Sequence, residues 1–350
     1  MERRNKCLYL EEKIIAFASL PSVSGRESAA KELLEKLMSG FDQTQTDALG
    51  NRIYLRRCGR EGAPRILLDA HFDEIGMYVC GIEEGGFLKL APIGGLDRRT
   101  LSSAPVVIYG EKTISGILSS TPPHLAAKDG KAVLPELGDL LVDTGYSKEE
   151  LEKIAPIGTP VGFAPRFRHL AGKRLTGKSF DNKACCAIAA EALLSTPREE
   201  LAGDVYLLFS VREETGAFGG VSSAALSVNP DRAMVLDADL AAMPGTKEAD
   251  TVKLGGGPSL TRGPVLDKRL RRSLEARAAA AGIPVQPIAL PNSTGTNAPA
   301  VNLTGAGIPT VNAGLPVRGM HTYHEILDLT DAENLRELVR LFITDKEVCG

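Results

Sequence analysis

Residues 66–76, ILLDAHFDEIG, decide how the chain reads. A short aliphatic run of this kind is expected of a strand covered on both faces, and it ends in His71-x-Asp73-Glu74. Runs of the same character recur at 205–211, 233–236 and 308–311, with helical stretches between several of them, notably at 183–194 and 270–281. Strands alternating with helices predict an α/β fold with a mostly parallel central sheet flanked by helices. Nearer the N-terminus, Ser24-Gly25-Arg26-Glu27 has the S-x-x-E form of a capping box. Ala30, Leu33, Leu34, Leu37 and Met38 follow at helical spacing, so an amphipathic helix packed on the sheet is expected there.

Residues 78–174 have a different texture. Paired glycines at 85–86 and 94–95, Pro122-Pro123, and short β-prone pieces at 106–109 and 113–118 predict a small β-rich unit. Because the strand and helix alternation resumes afterwards, this stretch reads as an insertion, leaving residues 1–77 and 175–350 as the α/β domain.

The composition, 350 residues with 43% hydrophobic and 24% charged, is that of a folded chain with room for more than one domain. A net charge of -3 gives no electrostatic case for nucleic acid or an anionic membrane. With no tryptophan and 5% aromatics, stacking on single strands is not expected either. The six cysteines, Cys7, Cys58, Cys80, Cys185, Cys186 and Cys349, are scattered and form no CxxC pair, which reads as reduced thiols in the cytoplasm. Acidic residues interrupt the apolar part of the N-terminus, unlike a signal peptide, and no segment approaches the roughly 18 apolar residues of a membrane span. Small or peptide-like substrates are expected.

Chemistry concentrates where the strands end. Ligands in open α/β sheets usually bind beyond the carboxyl ends of the strands. His71 follows one apolar run, Glu213-Glu214 another and Asp237 a third, while His321 comes after a fourth and Asp181 opens a helical stretch. Each alone has a plain structural reading, a satisfied core histidine or a solvated helix start. Convergent imidazoles and carboxylates without thiolates favour zinc, cobalt or manganese over an iron–sulfur cluster, and five donors suit two cations if one carboxylate is shared. Glu213, adjacent to a ligand, can face a reacting water without binding metal and serve as general base. A two-metal hydrolase is the reading that unites them.

Asp239 could share a face with Asp237, which is preferred for its closeness to the strand. His124 and His324 are assigned to structure or to the substrate pocket. Cys185 and Cys186, among alanines, are assigned to helix packing rather than to nucleophilic chemistry. Gly255-Gly256-Gly257-Pro258 lacks the Lys-Ser/Thr of a phosphate loop and reads as a tight turn or a wall of the cleft.

The ordered set LPSVSGRE (20–27), AHFDEIG (70–76), TPPHL (121–125), FDNKACC (180–186), VREETGAFGG (211–220), LGGGP (254–258) and RGMHTYHE (318–325) resembles the M42 metallo-aminopeptidases of clan MH. Some members of that family carry the label cellulase or endoglucanase M. The resemblance implies two divalent metal ions per subunit, zinc or cobalt first and manganese next. His71, Asp181 and Asp237 would hold one ion, and Asp181, Glu214 and His321 the other, with Asp181 as the bridge. Glu213 would be the general base toward a water between the metals, Asp73 would orient His71, and the peptide bond after Asp181 would be cis. The implied reaction is hydrolysis of the N-terminal peptide bond of short peptides. The implied assembly is a homo-oligomer built from dimers, up to a tetrahedral dodecamer, with the β-rich insertion making subunit contacts.

Two departures from the family pattern stand out. Asn297, in Thr294-Gly295-Thr296-Asn297-Ala298, replaces a usual Asp, and Lys183 replaces a common Arg. The lost charge is expected to alter recognition of a substrate ammonium group or contacts between subunits. A metal-dependent deacylase of N-acyl amino acids or peptides is the alternative activity, and an inactive oligomeric scaffold the alternative of another class.

Overall fold

The four apolar runs lie side by side. The computed structural model describes residues 2–122, 125 and 137–347, with side chains from Tyr9 onward. His124, Cys349 and the side chain of Cys7 lie outside the described residues. Strands Asp204–Ser210, Arg65–His71, Arg232–Leu240 and Thr310–Arg318 pair in that order, all parallel. Arg52–Arg56 and Gln43–Thr46 add antiparallel strands at one flank, and Glu325–Asp328, Arg174–Gly177 and Arg168–His169 do so at the other. Ser259–Arg262 branches antiparallel from Thr310–Arg318 and pairs in parallel with Gln286–Ala289, so the sheet is mixed, with its parallel centre buried on both faces.

Helix Phe180–Ser195 crosses one face. Its run of Ala, Cys, Ile and Leu is buried from Phe180 to Leu193, as expected of a helix apolar all round. It packs with Leu10, Ile14 and Phe17 of helix Glu2–Ala18 and with Leu335 and Leu338 of helix Leu329–Ile343. The opposite face carries helix Gly219–Val228 and the short helix Ala298–Asn302, packed on Leu67, Leu208 and Val235. Helices on both sides force the two central faces to be apolar, which is why the strand runs are continuous rather than alternating.

The helix expected after Ser24 differs from its expectation. A 3-10 turn, Glu27–Ala30, precedes a seven-residue helix, Lys31–Leu37, and neither start carries a side-chain cap. Ser24 is drawn elsewhere, since its hydroxyl donates to Asp73, and Glu27 accepts from the Gly25 N–H instead of closing a box. Ala30, Leu34 and Met38 still face the core, while Leu33 is exposed.

Six strands between Gly76 and Phe163 close into a barrel in the order Gly76–Glu83, Phe87–Ile93, Leu141–Asp143, Thr113–Ser119, Pro105–Tyr109, Pro160–Phe163. It encloses its own core of Met77, Leu88, Val106, Leu118, Val142 and Val161. The first barrel strand starts five residues after His71, so the turn through Asp73 and Glu74 joins sheet and barrel.

Candidate metal centre

His71 is the last residue of its strand, paired with Ser210 on one side. On the other side Val235 pairs with Asp69, which brings Asp237, two residues on, level with His71. Neighbouring parallel strands thus set an imidazole beside a carboxylate: His71 Nε2 lies 3.4 Å from Asp237 Oδ1. Asp181 comes from the start of the buried helix, across a cis Asp181–Asn182 peptide bond. Its two oxygens face different imidazoles, Oδ1 at 3.3 Å from His71 Nε2 and Oδ2 at 3.4 Å from His321 Nε2. His321 Nε2 is also 3.6 Å from Glu214 Oε2, and Glu213 Oε2 is 3.9 Å from His71 Nε2. All five expected ligands and Glu213 therefore meet at one end of the parallel strands.

Asp73, fully buried, ties three segments together. Its carboxylate accepts the backbone N–H of Glu213 at 3.0 Å and of Glu214 at 3.1 Å, as well as the Ser24 hydroxyl. Its carbonyl oxygen, 3.1 Å from His71 Nδ1, is nearer than its carboxylate at 3.5 Å. A proton on Nδ1 directed to that carbonyl leaves Nε2 as the nitrogen that faces Asp181 and Asp237 and that would give up its proton to bind a cation. Asp73 thus touches His71 through its main chain more closely than through its side chain.

Burial and crowded charge shift every group in the cluster. Burial pushes Glu213 up to about 8, with Asp237 and Asp181 adding to it against the pull of His71. Burial likewise raises Glu214 and Asp237. The hydrogen bond that His321 donates to Asp181 pushes the imidazole up to about 10. Burial opposes protonation of His71, yet Glu213, Asp237 and Asp181 outweigh it and hold the ring protonated well above its ordinary range. Four acidic side chains facing two imidazoles leave a negative excess that a positive partner would neutralise.

The donor set fits metal. Ligand atoms of His71, Asp181 and Glu214 lie within 4.8 Å of one another, and so do those of His71, Glu213 and Asp237. Glu214 Oε1 is buried without a hydrogen-bond partner, an orphan acceptor that a cation would satisfy. Imidazole nitrogens with carboxylate oxygens are the usual donors for a divalent ion with hydrolytic chemistry.

The departures fall away from this centre. Asn297 is buried beneath the sheet and donates to Asp69 at 3.0 Å and to Ser210 at 2.9 Å, so it faces no substrate ammonium group and no neighbouring subunit. Lys183 is also fully buried, 3.0 Å from Glu74 and donating to the Leu20 carbonyl; Glu74 accepts from Lys178 and Ser179 as well. Both departures are internal, which corrects the expectation of altered recognition at these positions. Cys185 and Cys186 are buried, and their thiols point at the carbonyls of Asp237 and His71 at 3.4 and 3.3 Å, in keeping with packing. His324 stacks edge-on with Tyr323 at 4.6 Å between ring centres. Gly255 and Gly257 form a turn whose N–H groups both donate to Asp331 at 2.7 Å.

Three features escaped the sequence reading. Glu325 is fully buried beside Asp181 and His321. Its position four residues after His321 was the available signal. Asn182 donates to the Leu236 carbonyl at 2.8 Å, next to Asp237. Gly94 and Gly95 lie against two of the candidate ligands: a Cβ on Gly94 would come 3.0 Å from Glu214 Oε2, and one on Gly95 2.9 Å from His321 Nδ1. Glycine is required at Gly95 by space, not by backbone angle, and a lone glycine pair in sequence reads only as a turn.

The M42 glutamyl aminopeptidase family model matches residues 50–338. The lysyl aminopeptidase of Pyrococcus furiosus is 31% identical over 93% of this chain and 94% of its own length. Among solved structures, the aminopeptidase APDkam598 of Desulfurococcus kamchatkensis superposes with a TM-score of 0.89 at 31% identity, covering 97% of this chain and 95% of that one. The TET1 peptidase of Pyrococcus horikoshii, described as assembling into a tetrahedron or a large octahedral shell, reaches 0.83 at 29% identity over 95% and 99%. With the fold, the ligand-type residues and the matched length in agreement, the chain belongs to peptidase family M42 and is an aminopeptidase of the hydrolase class.

Proposed function

We propose that the chain removes the first residue of short peptides at a centre of two divalent cations that share Asp181. One observation carries this reading: the two oxygens of a single buried carboxylate face two different imidazoles, His71 and His321, at nearly equal distances. His71 and Asp237 would complete one cation site, and His321 and Glu214 the other. Zinc or cobalt suits these donors best, with manganese next. Bound cations would supply Lewis acidity, polarising the first peptide carbonyl and making water a better nucleophile.

The chain's own side chains do the rest. Glu213, held by its backbone N–H on Asp73 and close to both His71 and Asp237, takes a proton from the attacking water and delivers it to the leaving amine. Asp73 fixes Glu213 and Glu214 through their backbone and His71 through Nδ1, so base and ligands move as one unit.

The same reading extends to assembly and location. The closed barrel of residues 76–163, narrower than the expected 78–174 because Arg168–His169 and Arg174 belong to the central sheet, acts as the oligomerisation domain inserted in the catalytic domain. A dimer-based homo-oligomer, such as the tetrahedral form of the horikoshii relative, is the expected state, and the cytoplasm the expected location. Light scattering should give a mass of several subunits; a stable monomer at micromolar concentration contradicts this part.

The test of activity is direct. Protein loaded with zinc, cobalt or manganese releases amino acids from unblocked peptides and leaves their N-acetylated forms intact, whereas the opposite preference identifies a deacylase. Glu213→Gln keeps its metal and loses about 10²–10⁴-fold in kcat. Full turnover in that variant removes Glu213 from the mechanism.

A further inference from the structure

Glu325 begins the strand that pairs with Arg174–Gly177, opposite Gly177, so it stands beside the segment leading into Asp181. Its carboxylate is 1% exposed and fully engaged by main-chain donors. Oε2 accepts the backbone N–H of Asp181 at 3.0 Å, and Oε1 accepts that of His321 at 3.3 Å. The N–H of Phe180 adds to the same carboxylate. With its oxygens turned to backbone donors, Glu325 is a holder of ligands rather than a ligand.

His321 needs such a holder. Its φ of 62° is in the left-handed region, uncommon for a residue with a Cβ, and it sits in a turn where the Thr322 hydroxyl donates to Gly319. Asp181 sits at an irregular helix start, with non-helical angles at Asp181 and Asn182. Neither ligand is fixed by a sheet ladder as His71 and Asp237 are. A single carboxylate that accepts from both backbones sets the separation between the Asp181 carboxylate and the His321 ring.

We propose that Glu325 is a positioning residue for the cation site formed by His321, Glu214 and Asp181, where it holds two of the ligands, and acts less on the site at His71 and Asp237, where it holds only the shared Asp181. It is the counterpart of Asp73, which accepts the backbone N–H groups of Glu213 and Glu214. This inference rests on the two-cation reading above.

Two variants separate length from charge. Glu325→Gln keeps the reach but replaces one acceptor with an N–H₂ group that must face a backbone N–H. Glu325→Asp keeps the charge but cannot span both donors. Zinc is titrated calorimetrically into each full-length variant and the wild type, and the visible spectrum of bound cobalt is recorded. The wild type takes up two ions per chain. Each variant binds the second ion about 10–100-fold more weakly and loses clearly less affinity for the first; excess metal restores the second cobalt signal and part of kcat.

Equal weakening of both ions, or unchanged binding of both, overturns the positioning role while leaving the two-cation reading standing. A wild type that binds one ion overturns that reading and this inference with it. Should Glu325→Gln fail to fold, the Glu325→Asp titration decides alone, and wild-type affinity for both ions in it overturns the proposal.

Discussion

His71 and Asp237 stand on adjacent parallel strands and are 2% and 5% exposed, whereas His321 stands on a turn beyond its strand with 37% of its side chain exposed. Ladder hydrogen bonds hold the first pair, and loosening it means loosening the sheet. His321 is held by three local contacts: Glu325 on its N–H, the Asp97 N–H on its carbonyl at 3.3 Å, and Gly95 against its ring. Two of these come from the barrel side. One half of the centre is thus built into the fold and the other is assembled from loops, so remote substitutions should act on the second half first.

Removing the shared carboxylate should erase this distinction. Asp181→Ala is expected to weaken both cations together and lower kcat/KM by about 10³-fold or more, read by metal analysis and peptide hydrolysis. Retention of one tightly bound ion would show that the halves are independent. Gly95→Ala should expose the asymmetry instead, because its new methyl group meets His321 Nδ1. The ion at His321 is expected to weaken about 10–100-fold while the one at His71 stays. Gly81→Ala, where the added Cβ meets only Lys89 at 3.5 Å, is the control within the barrel and should change neither.

Binding at both halves should respond to pH, because both imidazoles hold a proton in the metal-free chain. His321, pushed up to about 10 by its hydrogen bond with Asp181, is protonated in the metal-free chain at neutral pH. A cation must displace that proton, so affinity at this half rises with pH toward 10, by up to about tenfold per unit, and loading at pH 8 releases acid. Unbuffered titration measures the release. Binding at this half with no pH dependence would contradict the assignment of His321.

The smallest effect on activity is expected beneath the sheet. Burial raises Asp69 to about 7 despite the hydrogen bonds from Ser210 and Asn297, against an ordinary value of 3.8. A carboxyl with its folded pKa raised contributes stability that is complete below 3.8 and is lost as pH rises through 7. Asn297→Asp adds a second carboxyl to the same pocket. Its loss of stability relative to wild type should be slight at pH 5 and reach about 1–3 kcal/mol above pH 8 in denaturant melts, with kcat nearly unchanged. An equal loss at both pH values would rule out a shared titration.

The rigid half was the more legible one. An aliphatic run ending in His71 announces a strand end, and the run before Asp237 places that carboxylate on the neighbouring strand, because register in a parallel sheet follows from buried side chains. The loop-built half was legible in its ligands but not in its supports. Glu325 looks like any charged residue near a histidine until the fold brings Arg174–Gly177 alongside it. Gly95 acts through space that only the barrel's closure creates. Ser24 shows the converse: its local pattern favours a helix cap, yet a buried carboxylate 49 residues away takes its hydroxyl. Local signals fail where a tertiary partner offers a stronger bond. Likewise the pattern marked the parallel centre, whereas the antiparallel flanks arise from short strands with few apolar residues, such as Gln43–Thr46.

Anomalous diffraction from crystals grown with saturating cobalt tests the shared-carboxylate claim most directly. Two peaks should flank Asp181, one among His71 and Asp237 and one among His321 and Glu214. A single peak held by His71, Glu213 and Asp237, with Asp181 bound to no metal, would contradict it.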